Sequence, residues 1–369
     1  MTEELSLPVS IGEGLDKLTI LDIKREKITD ERKKDVEKEY NVLLEKLKPY
    51  VEKVKWHYTI LKEINLVIWN LQDQFHGKDV SEVEAGRICS QILQENDRRF
   101  RMKAKINAIL SSNLREQKGY TKKKAFFYGH LGMGDMFWLC GAVRYLSTCY
   151  DEVIVVCKER NIQNVRMMYI DDPCIKFFVV ESDEILYPFQ QQKRGFIEKD
   201  GFDVYACGYH STNPQIYEFP YCFYDDLKIP REVMMKYFYV PIFVEAIDLF
   251  QQVIQVNPIY CLVHQQSSGK QMPIWERLAI QKPDALLLDI NENHYPEGHP
   301  YHTIAGKIVN QPLLFYKCLA EYAQGIHLLE SSFYCFVSHL DLSKVQEKIC
   351  YDAFDKSNER LGVFQTGSL

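Results

Sequence analysis

Residues 126–138 read FFYGHLGMGDMFW, an apolar run followed by three glycines, one carboxylate and further apolar residues. The apolar run is typical of a buried strand, and the apolar residues from Met136 onward favour a helix. Glycine permits backbone conformations closed to other residues, so a ligand can approach the main chain there. The stretch therefore predicts a strand, a tight glycine loop and a helix, with Asp135 at the start of the helix.

Short apolar runs of the same kind recur from Lys123 onward and alternate with helix-like segments. They are AFFY, VIVVC, IKFFVV, FDVYAC, IYCLV, ALLLDI and GIHLLE. This alternation is the signature of repeated βα units on parallel sheets. The units form two sets, at about 124–240 and 257–345, joined by the amphipathic segment IFVEAIDLFQQVIQV. Two α/β domains in series predict a cleft between them, where ligands bind beyond the carboxyl ends of the strands.

The first 120 residues have a different, largely helical pattern. Ser10 to Glu13, SIGE, has the form of a capping box and predicts a helix that begins there. Pro49 falls inside the next apolar stripe and predicts a kink or a helix break near Lys48. We expect a helical domain over 1–120, followed by α/β domains over 121–245 and 246–369.

Composition narrows the classes of function. The formal charge of −6 gives no global attraction to nucleic acid, so no nucleic-acid partner is expected. The eleven cysteines include no C-x-x-C pair, which argues against a structural zinc site, and their odd number argues against a full disulfide framework. No window is apolar over the roughly 18 residues that span a bilayer. We expect a cytoplasmic protein with at most peripheral membrane contact.

The glycine spacing at 129–134 is G-x-x-G-x-G, which differs from the dinucleotide fingerprint G-x-G-x-x-G. No Gly-Lys-Ser/Thr follows, so a Walker-type nucleotide site is not supported either. Two interpretations stay open at this point. The loop either belongs to a ligand site, or it is a tight turn in which Asp135 merely caps the helix.

The segment HLGMGD after a first strand resembles the N-terminal loop of GT-B glycosyltransferases, notably the heptosyltransferase-like families and, more distantly, the fucosyltransferases. The resemblance implies the GT-B fold, in which two Rossmann-like domains face a cleft. In the heptosyltransferase-like enzymes the loop aspartate is placed as general base on the acceptor hydroxyl, which implies that role for Asp135. His130, Gly132 and Gly134 would then shape the acceptor side.

The donor side is expected in the second domain. IYCLVHQQSSGK is a strand ending in His264, followed by a turn rich in small donors with one cation, Lys270. IHLLESSF leads from a strand into a helix and resembles the joint that contacts the nucleotide diphosphate in the same families. The expected donor-binding residues are His264, Ser267, Ser268, Lys270, Glu330, Ser331 and Ser332. Ser331 as a helix N-cap is a compatible alternative.

No D-x-D follows a strand, so the metal-bound diphosphate of GT-A enzymes is not supported and no metal or other cofactor is expected. Many fucosyltransferases carry an arginine for the β-phosphate; here the nearest cations are Lys270 and Arg277, and Lys270 is the preferred candidate. The loop HYPEGHPYH, residues 294–302, brings three histidines together, but their spacing does not match a helical metal pair. A metal site, a loop over the nucleotide and a plain surface loop are the alternatives.

The N-terminal part resembles an uncharacterised small helical domain found in bacterial polysaccharide loci and fused to transferases in some large DNA viruses. The resemblance carries over no catalytic residue, and it leaves a homo-oligomer through this domain and a host-cytoplasmic location as expectations. A dense basic run comprises Arg98, Arg99, Arg101, Lys103 and Lys105, followed by Lys122 to Lys124. It is interpreted as a solvated helix face, with a phosphorylated acceptor, anionic lipid or nucleic acid as alternative ligands.

The leading hypothesis is a metal-independent glycosyltransferase that moves a sugar from a nucleotide-diphosphate donor to a glycan or glycolipid hydroxyl. The alternative is a non-catalytic nucleotide- or sugar-binding protein in which the helical module docks a partner. The donor base, the sugar, the acceptor and the anomeric outcome depend on loop shape and are not readable from the sequence.

Overall fold

The computed structural model describes residues 7–75, 80–119, 121–186, 197–199, 201–208, 218–267, 269–351 and 362–367. The chain divides into two compact units. The helical unit comprises residues 1–124 with the segments 146–153 and 171–176, and the sheet unit comprises the remainder. The division into three domains stays a prediction.

The helical unit contains four long helices that bury one another's apolar faces. They are α1 (Ile11–Lys27), α2 (Lys33–Lys53), α3 (Lys55–Asp73) and α4 (Glu82–Ile109). Ser10 caps α1 as predicted, because its hydroxyl accepts a hydrogen bond from the Glu13 backbone at 3.1 Å. Leu15 and Leu18 of α1 pack in a core with Leu61 of α3, all with no measurable exposure.

The predicted helix break near Lys48 is wrong. Helix α2 continues through Pro49 to Lys53 and ends only at Val54, whose φ of −128° and ψ of 35° are not helical. Proline removes one backbone donor and clashes with the preceding turn, but a helix anchored by packing tolerates this near its end. The break therefore lies five residues beyond the proline.

The interpretation of the basic run as a solvated helix face is wrong for its buried members in α4, whereas Lys122 and Lys123 are exposed. Arg101, Lys103 and Lys105 are at most 9% exposed. Lys105 donates to Asp172 and to Ser147, each at 2.7 Å, and Arg101 pairs with Asp151 at 3.1 Å.

The other cations of the run are paired as well. Arg99 binds both carboxylate oxygens of Asp16 through Nε and Nη2, and Lys103 reaches Glu13 at 2.7 Å and Glu116 at 2.8 Å. Buried cations need such partners, because an unpaired charge inside a protein costs several kcal/mol. These paired cations of α4 thus stabilise the helical unit, and an anionic ligand for the run stays a prediction.

The first sheet carries the strand order β3-β2-β1-β5-β4. Its strands are β1 (Lys124–Tyr128), β2 (Glu152–Lys158), β3 (Ile175–Val180), β4 (Ile197–Lys199) and β5 (Phe202–Ala206). Strands β1 and β5 are parallel, and β4 is antiparallel to β5. Its helices are α5 (Met133–Trp138), α6 (Cys140–Cys149), α7 (Ile162–Met168), α8 (Tyr221–Leu227) and α9 (Val233–Lys236), with 3₁₀ turns at Glu159–Asn161 and Asp183–Leu186.

The second sheet has the order β12-β11-β10-β6-β9, with all of its neighbouring strands parallel. Its strands are β6 (Tyr260–His264), β9 (Leu286–Asp289), β10 (Gly325–Leu328), β11 (Glu347–Cys350) and β12 (Gln365–Thr366). A separate hairpin pairs β7 (Gln266–Ser267) with β8 (Lys270–Gln271). The helices are α10 (Val244–Val256), α11 (Ile274–Gln281), α12 (His302–Ile308), α13 (Lys317–Tyr322) and α14 (Ser332–Val337), with a 3₁₀ turn at Leu313–Tyr316.

The predicted α/β class with parallel sheets is confirmed, and every apolar run quoted above forms a strand. The antiparallel strand β4 and the hairpin β7–β8 were not predicted. The GT-B arrangement of two facing domains stays a prediction. None of the helices described is long and apolar enough to cross a membrane.

Candidate functional site

Each sheet has a point at which successive connections leave in opposite directions. In the first sheet β2 and β3 lie on one side of β1, whereas β5 lies on the other. In the second sheet β9 lies on one side of β6, whereas β10 lies on the other. Loops diverge at such a point and leave a crevice at the carboxyl ends of the strands, which is where open α/β sheets bind ligands.

The first crevice lies between β1 and β5, and His130 joins its two sides. The His130 Nε2 lies 2.5 Å from the carbonyl oxygen of Gly208, which follows β5. Gly208 has a φ of +84°, and an added Cβ there would lie 2.8 Å from the His130 ring. Position 208 therefore requires glycine, because of both its positive φ and the nearby His130 ring. The hydrogen bond from His130 to Gly208 holds the loop in place, and the role of His130 on the acceptor side stays a prediction.

Asp135 occupies the third position of α5, for which Gly132 is the N-cap. Its carboxylate accepts a hydrogen bond from the Gly132 backbone, which is half of a capping box. A Cβ added to Gly132 would lie 2.5 Å from Asp135 Oδ2, so a side chain there would displace the carboxylate. The capping interpretation is thus correct, and it does not exclude a chemical role.

The pKa of Asp135 is raised, chiefly because burial penalises the carboxylate. The nearby Asp183 raises this pKa further, whereas His130, the Gly132 backbone and Lys158 lower it. A carboxyl group with a raised pKa is the stronger base once it is ionised. A polar crevice that holds a perturbed carboxyl group is a candidate site of chemistry.

Two charged residues of this crevice were missed from the sequence. Lys158 is the last residue of β2, and Asp183 begins the 3₁₀ turn that follows β3. Their Nζ and Oδ2 atoms lie 2.5 Å apart. The available signal was their position, since each lies at or just after the carboxyl end of a predicted strand, β2 for Lys158 and β3 for Asp183.

The second crevice lies between β6 and β10, where His264 meets Ser331. The Ser331 hydroxyl oxygen accepts a hydrogen bond from the Tyr334 backbone at 3.3 Å and lies 3.4 Å from His264 Nδ1. The Ser331 hydroxyl and the His264 ring are thus within hydrogen-bonding distance, and either group can donate, depending on the histidine tautomer. Burial lowers the pKa of His264 to about 4, so the ring is neutral at physiological pH. Here the predicted N-cap role of Ser331 is confirmed.

Helices α5 and α14 bring the loops of the two crevices together. A Cβ added to Gly134 would lie 2.9 Å from Cys335 Sγ and 3.6 Å from Ser332 Cα. One turn further along, the Phe137 and Phe336 rings pack at 5.0 Å. Gly134 therefore permits a close approach of the two helix starts. Asp135 and the Ser331–Ser332 turn begin adjacent helices, one from each sheet.

The remaining predicted donor residues are placed less centrally. Ser267 and Lys270 face each other in the β7–β8 hairpin, where Ser267 is half-buried and Lys270 is exposed. Glu330 is half-buried just before Ser331. Ser268 lies outside the described residues. The structure thus unites Asp135, Gly134, Ser331, Ser332 and His264, and it places Ser267 and Lys270 on the hairpin that follows β6.

The histidines of residues 294–302 are each engaged by protein groups. His294 Nε2 lies 2.8 Å from Asp289 Oδ2, and its ring stacks on Trp275 at 4.7 Å. The His299 ring stacks on Tyr295, and His302 Nδ1 donates to the Tyr295 carbonyl at 2.6 Å. Within the described ranges no three His, Cys, Asp or Glu side chains gather as metal ligands. The metal interpretation of this loop therefore finds no support.

Comparison with known proteins gives a weak structural likeness. No protein-family model matches the chain, and no curated protein matches it. One similar solved structure is the bacterial iron-containing dodecameric glycosyltransferase TibC from enterotoxigenic E. coli H10407, at 12% identity and a TM-score of 0.32. The match covers 65% of this chain and 60% of that structure. A likeness at this TM-score carries no argument about fold or activity.

Proposed function

We propose that the protein is a glycosyltransferase that moves a sugar from a nucleotide-diphosphate donor to a hydroxyl of a glycan or glycolipid. The observation that carries this proposal is the junction of α5 and α14. There, a carboxylate with a raised pKa begins one helix, and a turn of hydroxyl and backbone donors begins the other. An inverting glycosyl transfer requires such a pair, a base for the acceptor and donors for the departing diphosphate.

In the proposed reaction Asp135 removes the proton of the acceptor hydroxyl as its oxygen attacks the anomeric carbon. The new bond joins that oxygen to the anomeric carbon, and the bond from this carbon to the diphosphate oxygen breaks. The electron pair of the broken bond leaves with the nucleoside diphosphate. Donors from Ser331, Ser332 and neutral His264 would hydrogen-bond the diphosphate, and Lys270 would supply a positive charge.

The roles of the other residues follow from their places. Gly132 and Gly134 keep the acceptor loop close to the main chain of its neighbours, and His130 fixes that loop to Gly208. Glu330 and Ser267 would contact the donor at the edge of the second crevice. Metal independence is part of the proposal. The chain has no D-x-D motif after a strand, and residues 264–270 and 331–332 contain no carboxylate that could bind a cation on the diphosphate. Treatment with EDTA should therefore leave the transfer rate unchanged.

The test begins with calorimetry on a panel of UDP-, GDP-, ADP- and CMP-sugars, followed by donor-hydrolysis and transfer assays with the sugar that binds. Asp135→Asn should retain donor affinity and lose about 10²–10⁴-fold in transfer rate. Asp225→Asn is the matched control, because Asp225 is an exposed carboxylate paired with Arg231. Full activity of Asp135→Asn contradicts the base role. Donor binding without any turnover would favour the non-catalytic alternative instead.

A further inference from the structure

A second group of polar side chains lies at the carboxyl edge of the second sheet, between the ends of β6 and β9. Asp289 is the last residue of β9, and Gln265 directly follows His264, the last residue of β6. His294, in the loop beyond β9, reaches both side chains: its Nε2 lies 2.8 Å from Asp289 Oδ2 and 3.0 Å from Gln265 Nε2. Asp289 and Gln265 thus fix one edge of the His294 ring.

The face of the His294 ring is held as well. It stacks on the Trp275 ring, with the centroids 4.7 Å apart and the planes at 23°. The Trp275 backbone N–H donates to Gln265 Oε1 at 2.9 Å, which turns the amide nitrogen of Gln265 toward His294. Asp289 and Gln265 are each only 2% exposed. A side chain whose neighbours are buried and bonded keeps a fixed direction, as a binding group must.

The other nitrogen of the ring is available to a ligand. His294 Nδ1 makes no hydrogen bond to any residue that the structure describes, and it is not enclosed by them. Nδ1 accepts a hydrogen bond when Nε2 holds the ring proton, and it donates when it holds that proton itself. A hydroxyl group pairs with either form, because it both donates and accepts. A phosphate oxygen only accepts, and the Asp289 carboxylate would also repel it.

The place of the ring in the sheet indicates which hydroxyl it meets. Asp289 pairs with Val263, so β6 and β9 end side by side, and neighbouring strands lie about 4.8 Å apart. In the proposed function His264 and Ser331 bind the diphosphate, and the ribose is the next group of the nucleotide. From this geometry we propose that His294 Nδ1 hydrogen-bonds a ribose hydroxyl of the nucleotide-sugar, so that the protein selects ribonucleotides over deoxyribonucleotides. The inference rests on the proposed function and narrows its donor class.

The test is calorimetry on the full-length protein with UDP, GDP, ADP and CDP, and then with the 2′-deoxy and 3′-deoxy forms of the tightest binder. One hydrogen bond is worth about three- to tenfold in affinity, so at least one deoxy form should bind that much more weakly to the native protein. His294→Gln should abolish this preference, because the glutamine amide takes the place of Nε2 beside Asp289 and leaves no polar atom at Nδ1. His294→Asn should keep the preference, because the asparagine amide takes the place of Nδ1.

His299→Gln is the matched control, because His299 is an exposed histidine of the same loop whose ring stacks on Tyr295. This variant should keep the native preference for the ribonucleotide. Urea unfolding shows whether each variant is folded. A preference retained in folded His294→Gln overturns the inference, and so does a preference lost equally in His294→Gln and His294→Asn.

The same measurements separate this inference from the proposed function. Native protein that binds a nucleotide without preferring it to either deoxy form overturns the inference alone. Native protein that binds none of the four nucleotides contradicts the proposed function, and the inference falls with it. The corresponding nucleotide-sugar is the last arm: if His294→Gln weakens only its binding and leaves the deoxy preference intact, the hydroxyl belongs to the transferred sugar and the ribose assignment is overturned.

Discussion

The contact between Gly134 and Cys335 gives the sharpest stability prediction. A methyl group added in Gly134→Ala would lie 2.9 Å from Cys335 Sγ, whereas nonbonded heavy atoms prefer about 3.5–4.0 Å. Cys335 is 9% exposed, so its thiol has little room to move away. The same methyl group lies 3.7 Å from Cys335 Cβ, an ordinary contact. The clash therefore comes from the sulfur alone.

This geometry sets the energies of a double-mutant cycle. Overpacking of this kind costs about 1–3 kcal/mol, while replacing glycine by alanine inside a helix gains up to about 1 kcal/mol. Gly134→Ala should thus be neutral to destabilising in the native background. In a Cys335→Ala background, Gly134→Ala should stabilise the protein, because the clash with the sulfur is removed and only the higher helix propensity of alanine remains. The coupling energy is expected at about 1–3 kcal/mol.

The assay is urea unfolding of the four proteins, with the free energy of unfolding extrapolated to water. A coupling energy within the ~0.5 kcal/mol typical of independent sites would refute the close approach of α5 and α14. The same variants connect packing to function, since transfer lost in Gly134→Ala should return in the double variant. Restored stability without restored transfer would separate the contact from the proposed site.

Three further predictions use charges that the fold buries. Lys105→Met should cost about 3–5 kcal/mol in urea unfolding, because it removes the buried cation that pairs with Asp172, whereas Lys17→Met at an exposed pair should cost no more than about 1 kcal/mol. Burial lowers the pKa of His339 to about 4 from its usual 6.5, so the free energy of unfolding falls as the pH drops from 6.5 to 4. His339→Phe should remove about 3 kcal/mol of that loss, measured as the free energy of unfolding at each pH. Asp135 has a raised native pKa, so its ionisation lowers stability as the pH rises above its unfolded value of about 4; Asp135→Asn should gain on the native protein over that rise, and a constant difference in melting temperature would contradict this.

Much of the fold was readable from local patterns. The strand, glycine loop and helix around Asp135, the cap at Ser10 and the cap at Ser331 all depend on residues close in sequence. The pairing of the two loops was not readable, because the contact of Gly134 with Cys335 joins residues some 200 positions apart. Sequence could propose both loops but could not show that they adjoin.

The basic run shows why charge patterns mislead. Lys105 and Arg101 look like surface residues until Asp172 and Asp151 arrive from distant segments to neutralise them. A lysine enters a protein interior only with a partner, and sequence offers no measure of which carboxylate will reach it. The same limit hid Lys158 and Asp183, which are separated along the chain and meet at 2.5 Å.

The environment of Asp135 argues that capping is not its whole purpose. A residue retained only as a cap gains from being charged at a helix start, where free N–H groups and the helix dipole lower the pKa of a carboxyl group. The Gly132 backbone has that effect here, yet burial and Asp183 outweigh it and raise the pKa of Asp135. An asparagine would offer the same capping oxygen without the cost of a buried charge. A buried carboxyl group with a raised pKa at this position is what the proposed role of Asp135 as a base requires.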